Sequence, residues 1–283
     1  MKVGIQLFSV FSYMQKDPLA AIRQVANMGY RYLEGVNHTA DKDYGAGFGL
    51  KAEDLQAVLN DTGSKMVSCH LMPIALENID AMIDYQKKIG AKYIVDPAAF
   101  FTTRDEVLQK AELCNKIGEK CKAAGLQFLY HNHFHEFHHL GDDTIMELLM
   151  NNTDPELVGL ELDTYWVMRG GVDPIDLMKQ YGTRIKLIHQ KDYPKGHDDQ
   201  INFLATLEKA NAPLNMNSFM EYNDQLFTEI GSGIMPVQKL IDAANEHCHS
   251  EYILLEQDYT TMDAMDSVKK SMDQFKSFTG IEW

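Results

Sequence analysis

Gly125-Leu-Gln-Phe-Leu-Tyr-His131 is the stretch that decides the fold, because its pattern recurs along the chain. It begins with a glycine suited to ending a helix, continues as a short run of β-forming apolar residues, and stops at a polar side chain. The pattern recurs in segments that end at Glu34, His70, Asp96 and His189. Each copy predicts a helix end followed by a buried strand.

Three further apolar runs bring the number of predicted strands to eight. They are KVGIQLF at the start of the chain, LVGLELD ending at Asp163, and EYILLE ending at Glu256. Helical segments separate the strands, and one of them starts at the capping box Thr103-Arg-Asp-Glu106. Alternating strands and helices predict a parallel sheet, and eight units predict that residues 1–283 form a single α/β domain, a (β/α)8 barrel.

The last interval between strands is longer than one strand and one helix require. It lies between His189 and Glu256 and contains no Pro/Gly-rich linker that would mark a second domain. We therefore predict an insertion after strand 7, from Asp192 to Met235. We expect it to act as a lid or as an oligomer contact.

Composition and charge narrow the range of functions. The formal net charge is −15, and no run of Lys or Arg offers a basic patch, so nucleic acid is not an expected partner. No apolar run is long enough to cross a bilayer, and the first residues predict a strand rather than a signal sequence. The cysteines have no CxxC spacing and are expected to be reduced. We expect a cytoplasmic protein with a small carbohydrate as its partner, and a homo-oligomer is possible.

Polar residues end the predicted strands where barrel active sites lie. Any one of them is consistent with a strand that simply reaches solvent. Together they supply three imidazoles and four carboxylates at one mouth, a mixture that binds Mn, Zn, Co, Fe or Mg. The sequence therefore predicts one divalent metal ion at the mouth of the barrel. The polar residues that end the predicted strands are Glu34, His70, Asp96, His131, Asp163, His189 and Glu256.

The histidine-rich segment after Tyr130 is the next candidate. His131, His133 and His135 share one face if the strand continues through them. A surface loop is the alternative, and it suits His138 and His139 better.

Two other segments offer groups for substrate. Tyr165, Trp166 and Arg169 are expected in a loop over the mouth, where Trp166 packs against a sugar ring and Arg169 binds substrate, unless they are ordinary packing residues. Lys191 follows His189 by two residues and is expected to stabilise an oxyanion or enolate, unless it is a solvated loop lysine. Glu34 and His70 are further candidates for substrate binding.

Several segments together resemble the sugar phosphate isomerase/epimerase group of xylose-isomerase-like TIM barrels. The resemblance implies a Glu-Asp-His-Glu metal site at the ends of strands five to eight, and Asp163, His189 and Glu256 match its last three members. His131 stands where many relatives have Glu, so one of the usual pair of acid/base glutamates is missing. The segments are Gly4-Ile-Gln6-Leu-Phe-Ser9, His131-Asn-His133, Asp163-Thr-Tyr-Trp166, His189-Gln-Lys-Asp192, Thr228-Glu-Ile-Gly231-Ser-Gly233 and Leu255-Glu256.

The resemblance implies a metal-dependent isomerase or epimerase that acts on a keto-sugar or cyclic polyol through α-proton abstraction and an enediolate. Glu256 would be one acid/base, and His131, His133 or Glu136 the second. The alternatives are a dehydratase or lyase on a keto-sugar or inosose, and a non-catalytic sugar-binding barrel. Gly231-Ser-Gly233 could offer N–H groups to a phosphate, but cations are scarce there, so we expect an unphosphorylated substrate.

Overall fold

A closed barrel of parallel strands forms the centre of the molecule. The computed structural model describes residues 1–223 and 225–283, and within them eight strands close the barrel in chain order, so that each strand pairs with its neighbours in sequence and β8 pairs with β1. The predicted (β/α)8 barrel is confirmed. The strands are β1 Lys2–Gln6, β2 Tyr32–Asn37, β3 Lys65–Leu71, β4 Tyr93–Asp96, β5 Gln127–His131, β6 Val158–Asp163, β7 Ile185–Gln190 and β8 Tyr252–Leu255.

Helices follow the strands and cover the outside of the barrel. The capping box predicted at Thr103 is present, because its side chain accepts the Glu106 N–H and Glu106 bonds back to the Thr103 N–H. No helix of the described ranges is both long and apolar enough to cross a membrane. The helices are α1 Phe11–Lys16, α2 Pro18–Met28, α3 Ala52–Thr62, α4 Ile79–Ile89, α5 Arg104–Ala123, α6 Ile145–Asn151, α7 Thr164–Arg169, α8 Pro174–Tyr181, α9 Phe203–Lys209, α10 Met216–Tyr222, α11 Val237–His247 and α12 Ala264–Phe275.

Two separate apolar clusters account for the alternation along the strands. The larger one fills the space between the sheet and the helices, and the smaller one includes Leu129, Leu187 and Leu254. Because side chains two apart on a strand share a face, these three leucines lie directly below His131, His189 and Glu256. The small cluster therefore forms an apolar layer inside the barrel, directly below the polar residues at the strand ends.

The segment between β7 and α11 carries the additional short helices α9 and α10. Phe203 of α9 lies 4.6 Å from Phe134, ring centre to ring centre, and Phe219 of α10 lies 5.6 Å from Trp166. These contacts place both helices beside the barrel mouth. Asp224 belongs to the predicted insertion but lies outside the described residues, and the role of the insertion as lid or oligomer contact stays a prediction.

The Asp192 carboxylate organises the end of this segment. It accepts the backbone N–H groups of Gly231 at 2.9 Å and of Gly233 and Met235 at 3.0 Å. The N–H groups of Gly231 and Gly233 that we considered for a phosphate are thus already bonded to a carboxylate, whose charge would repel phosphate. The expectation of an unphosphorylated substrate stays a prediction.

Gly233→Ala is expected to lower the melting temperature by several degrees. A Cβ at this position would overlap the Asp192 carboxylate and the Tyr193 carbonyl, so either the loop or Asp192 must move. Overpacking of this kind costs about 1–3 kcal/mol. Thermal unfolding followed by circular dichroism measures it, with Ser232→Ala in the same loop as the control. Equal melting temperatures for the two variants would contradict the assigned packing.

Candidate metal centre

Four side chains from the ends of β5 to β8 converge at the barrel mouth. One ligand atom from each of His131, Asp163, His189 and Glu256 lies within 4.8 Å of the other three, and all four residues are buried. The strands explain this convergence, because parallel neighbours end at the same edge and the register pairs Asp163 with His189. The four residues are those that we assigned as metal ligands from the sequence.

Backbone contacts hold Asp163 in place. Its Oδ1 atom accepts the Trp166 N–H at 2.8 Å and so caps α7, while its own N–H donates to Asn132 Oδ1 at 3.0 Å. Oδ2 remains directed into the mouth, where Lys191 Nζ lies 2.6 Å away. Oδ1 therefore stabilises the start of α7, and Oδ2 faces the predicted metal site.

Lys191 is buried between two of the predicted ligands. Its Nζ atom lies 2.5 Å from Glu256 Oε2, and it also sits 5.5 Å from the centre of the Trp166 ring. Burial alone would lower the pKa of Lys191, but Asp163, Asp258 and Glu256 outweigh it, and the pKa is well above its ordinary value. Lys191 is therefore an ammonium group within the site rather than a solvated loop lysine.

A second polar layer lies beside the first, and its centre is Glu161. One oxygen of this carboxylate contacts His70 Nε2 at 2.6 Å and His131 Nδ1 at 3.0 Å, and the other lies 3.3 Å from His189 Nε2. Sequence reasoning missed Glu161, although it stands two residues before Asp163 and so must share its face of β6. His70, His131, Glu161 and His189 form a second group with ligand atoms close together.

Glu34 completes this layer. Its Oε1 atom lies 2.6 Å from His189 Nε2, 3.3 Å from His70 Nε2 and 2.9 Å from the amide nitrogen of Gln6, which donates to it. Glu34 and His70, which we had considered for substrate binding, are thus linked directly to the predicted ligands and to Glu161. Glu34 is completely buried, and His70 is nearly so.

The electrostatics of the layer follow from these contacts. Burial alone would raise the pKa of Glu161, but His189 and His70 lower it well below its ordinary value. Burial would lower the pKa of His189, yet the carboxylates of Glu161, Glu34 and Glu256 raise it well above its ordinary value. The pKa of Glu34 is raised, first by burial and then by the neighbouring Glu161. Without a metal ion, the imidazoles and carboxylates neutralise one another.

His133 lies at the mouth, but Glu136 does not. The His133 ring is 5.1 Å from His131 and 5.5 Å from Trp166, and its pKa is well below the ordinary value because of burial and of neighbouring His131. The Glu136 carboxylate accepts the Tyr130 hydroxyl at 2.7 Å and the His133 N–H at 2.9 Å, and lies 3.2 Å from His135. These contacts tie Glu136 to its own chain segment and not to the ligand group.

The strand does not continue past His131, so the condition for a shared face of His131, His133 and His135 is not met. β5 ends at His131, and His135–Phe137 forms a 3-10 turn, because Glu136 bonds back to the His133 N–H and bends the chain. His135 Nε2–H donates to the Ala99 carbonyl, 2.9 Å away, rather than facing the mouth with His131.

The expectation of a loop after Asp163 is wrong, because Thr164–Arg169 forms α7 under the Asp163 cap. Trp166 is fully buried beside His133 and Lys191. Arg169 is fully buried too, where it donates to the Tyr165 hydroxyl at 2.9 Å and lies over the Phe203 ring. The structure thus brings Trp166 to the site and packs Arg169 among aromatic rings.

Two further carboxylates, those of Asp96 and Asp258, lie outside the group of four predicted ligands. Asp96 pairs with Lys110 of α5 and is not among the four grouped ligands. Asp258, which sequence reasoning overlooked, lies 3.6 Å from Lys191, and burial raises its pKa to about 7. Its spacing of two residues from Glu256 is the signal that could have revealed it.

The residues present fit a divalent ion. The donors are two imidazole nitrogens and two carboxylate oxygens, a set suited to Zn, Mn, Fe or Co. His131 Nε2 and Asp163 Oδ2 are 4.0 Å apart, too far for a hydrogen bond but close enough for both to reach an ion at about 2.1 Å from each. The Lys191 ammonium group would have to give way at Asp163 and Glu256 as the ion enters.

Comparison with known proteins assigns the family. The model of the xylose isomerase-like TIM barrel matches residues 22–278. The chain belongs to this family. The closed eight-stranded barrel is the fold that the family's name gives, and the polar cluster lies at the strand ends, where barrel active sites lie.

Relatives and solved structures within the fold carry several names. Inosose dehydratase from Lacticaseibacillus casei is 28% identical over 172 residues, which are 58% of this chain and 51% of that protein. The chain thus matches about half the length of these curated relatives. A sugar phosphate isomerase/epimerase from Parabacteroides distasonis has a TM-score of 0.75 at 25% identity, covering 99% of this chain and 95% of that one. The IolI protein, crystallised with a zinc atom, has a TM-score of 0.68 at 15% identity, covering 99% of this chain and all of that one, and shows likeness of fold alone.

Proposed function

We propose that the protein is a divalent-metal-dependent dehydratase that removes water from a cyclic polyol ketone or a related keto-sugar. The observation that carries this proposal is the position of Lys191, an ammonium group held 2.5 Å from the Glu256 carboxylate, with the His131 imidazole rather than a second glutamate at the end of β5. The mouth thus offers a carboxylate base and, beside it, one positive charge, which would move off the Asp163 and Glu256 oxygens when the ion binds.

His131, Asp163, His189 and Glu256 would hold the ion. When bound, the ion would act as a Lewis acid that polarises the ketone and makes the adjacent C–H bond more acidic. IolI, a protein of the same fold, is named with a bound zinc atom, which agrees with a metal-binding barrel.

The residues of the chain would then move one proton. Glu256 would accept the proton of the α C–H bond, whose electron pair becomes the new C=C bond of an enolate. The Lys191 charge would stabilise the negative charge that develops on the ketone oxygen. When the β C–O bond breaks, Glu256 would return its proton to the departing hydroxide, and one water leaves. The fully buried Trp166 ring would support the Lys191 ammonium group, which lies 5.5 Å from the ring centre, rather than contact the substrate.

Elimination suits this arrangement because one carboxylate can both accept the proton from carbon and deliver it to the leaving oxygen. Epimerisation by proton exchange between two faces needs a second base opposite the first. The dehydratase names of the curated relatives point in the same direction. The order of our two enzyme hypotheses from the sequence is therefore reversed.

Metal-reconstituted protein incubated with an inosose in D₂O tests the proposal. We expect a product that has lost one water, detected by mass spectrometry, only when metal is present. Product formation at the same rate after metal removal would contradict the role of the ion.

Isomerisation or epimerisation is the second candidate, and His133 is the observation that favours it. This imidazole lies at the mouth with its pKa well below the ordinary value through burial, so it is a neutral proton acceptor. In the same D₂O experiment, deuterium uptake at carbon with no loss of water would identify this chemistry. A protein that binds the sugar without either change would be the non-catalytic barrel.

A further inference from the structure

His131 and His189 each place their two ring nitrogens against different partners. His131 Nδ1 lies 3.0 Å from Glu161, while Nε2 faces Asp163 at 4.0 Å. His189 Nε2 lies 2.6 Å from Glu34, while Nδ1 lies 2.8 Å from Glu256. In both rings, one nitrogen therefore faces the predicted ligand carboxylates and the other faces the carboxylates of Glu34 and Glu161.

We propose that Glu34 and Glu161 are positioning residues, which accept the N–H groups of His189 Nε2 and His131 Nδ1 and thereby present His189 Nδ1 and His131 Nε2 to the ion. The inference rests on the metal site of the proposed function. A carboxylate behind a ligand histidine fixes both the orientation of the ring and the nitrogen that stays free, and strengthens the ligand. Neither carboxylate need touch the substrate.

Both carboxylates are themselves held in place. Glu161 is the direct cross-strand partner of His131, and the same oxygen also contacts His70 at 2.6 Å. Glu34 is fixed by the Gln6 amide, which donates to it at 2.9 Å. All of these side chains are buried, so water does not compete for the histidine N–H groups. A buried imidazole that lost such a partner could rotate or keep its proton on the wrong nitrogen.

A second ion in the group of His70, His131, Glu161 and His189 is the competing interpretation. It would require the same nitrogens that face Glu34 and Glu161, so His131 and His189 would each have to bridge two ions. Both rings would then have to lose both protons. The single-ion arrangement needs only the ordinary neutral form of each ring.

Titration of metal-stripped protein with Co²⁺ by calorimetry tests the proposal. Glu161→Gln and Glu34→Gln keep the shape of the side chain but remove its charge, and each is expected to bind Co²⁺ about 10- to 100-fold more weakly, still with one ion per chain. Glu136→Gln is the matched control, because Glu136 is an equally buried carboxylate beside a histidine that is not a predicted ligand. Its Co²⁺ affinity should change less than about twofold, far below the effect on ligand orientation.

The position of the ring protons provides a readout that a purely structural role would not change. In the metal-free protein, ¹H–¹⁵N NMR of the histidine rings should show the His131 proton on Nδ1, and Glu161→Gln should shift it toward Nε2. If Glu161→Gln fails to fold, the Co²⁺ affinity of Glu34→Gln tests the proposal in its place.

Each outcome decides one of the two proposals. Unchanged Co²⁺ affinity or an unchanged ring proton in folded Glu161→Gln would overturn the positioning role while leaving the proposed function in place. Two Co²⁺ ions per wild-type chain, with one lost in Glu161→Gln, would overturn it in favour of direct ligation. A wild type that binds no Co²⁺ would refute the proposed metal function, and the NMR result would then decide whether Glu161 still fixes the His131 ring.

Discussion

Glu256→Gln is expected to lower kcat/KM for dehydration of an inosose by at least about 10³-fold. The amide removes the base, which alone contributes about 10²- to 10⁴-fold, and it also replaces an anionic ligand by a neutral one. It further removes one of the two carboxylates that hold the Lys191 ammonium group. Steady-state kinetics with metal at saturation measures the loss that remains after weaker ion binding is overcome.

Glu229→Gln is the control for this experiment. Glu229 is a buried carboxylate outside the site, bonded to Ser267 at 3.0 Å and to Lys270 at 3.1 Å. Its replacement should change stability more than kcat/KM. A Glu256→Gln enzyme that kept more than a tenth of the wild-type activity would exclude Glu256 as the base.

Asp163→Asn is expected to abolish stoichiometric metal binding. The substitution removes one of two anionic ligands and leaves the Lys191 charge opposed only by Glu256 and the more distant Asp258. An ammonium group that is no longer balanced repels a divalent ion, so an affinity loss of at least about 100-fold follows from about 3 kcal/mol of lost attraction. Metal content of protein purified without chelator measures this loss, and calorimetry gives the affinity.

Asp173→Asn is the matched control, because Asp173 caps α8 as Asp163 caps α7 but is not among the grouped ligands. Both variants retain a side chain that can cap a helix, so their stabilities should fall by similar, small amounts. Only Asp163→Asn should lose its metal. Retention of one ion per chain in both Asp163→Asn and His189→Ala would refute the ligand assignment.

The barrel and its four predicted ligands could be read from the sequence because both depend on local patterns. A glycine that ends a helix, as at Gly63 and Gly90, and an apolar run that follows it specify a strand with little reference to the rest of the chain. Parallel strands closed into a barrel must end at one mouth, so polar residues that end them must converge. His189 and Glu256 met for this reason, although they stand far apart in sequence.

Only the tertiary structure decided which side chains contact one another across that mouth. The sequence could not pair Glu161 with His131 or insert Lys191 between Asp163 and Glu256, because these distances depend on strand register and barrel closure rather than on spacing along one strand. The packing of Arg169 against the Phe203 ring could not be predicted either, because it also depends on contacts between segments far apart in sequence. The sequence alone thus determined the fold and the four strand-end residues that converge at the mouth, whereas the tertiary structure determined their partners, because charge and hydrogen bonding act between atoms that only folding brings together.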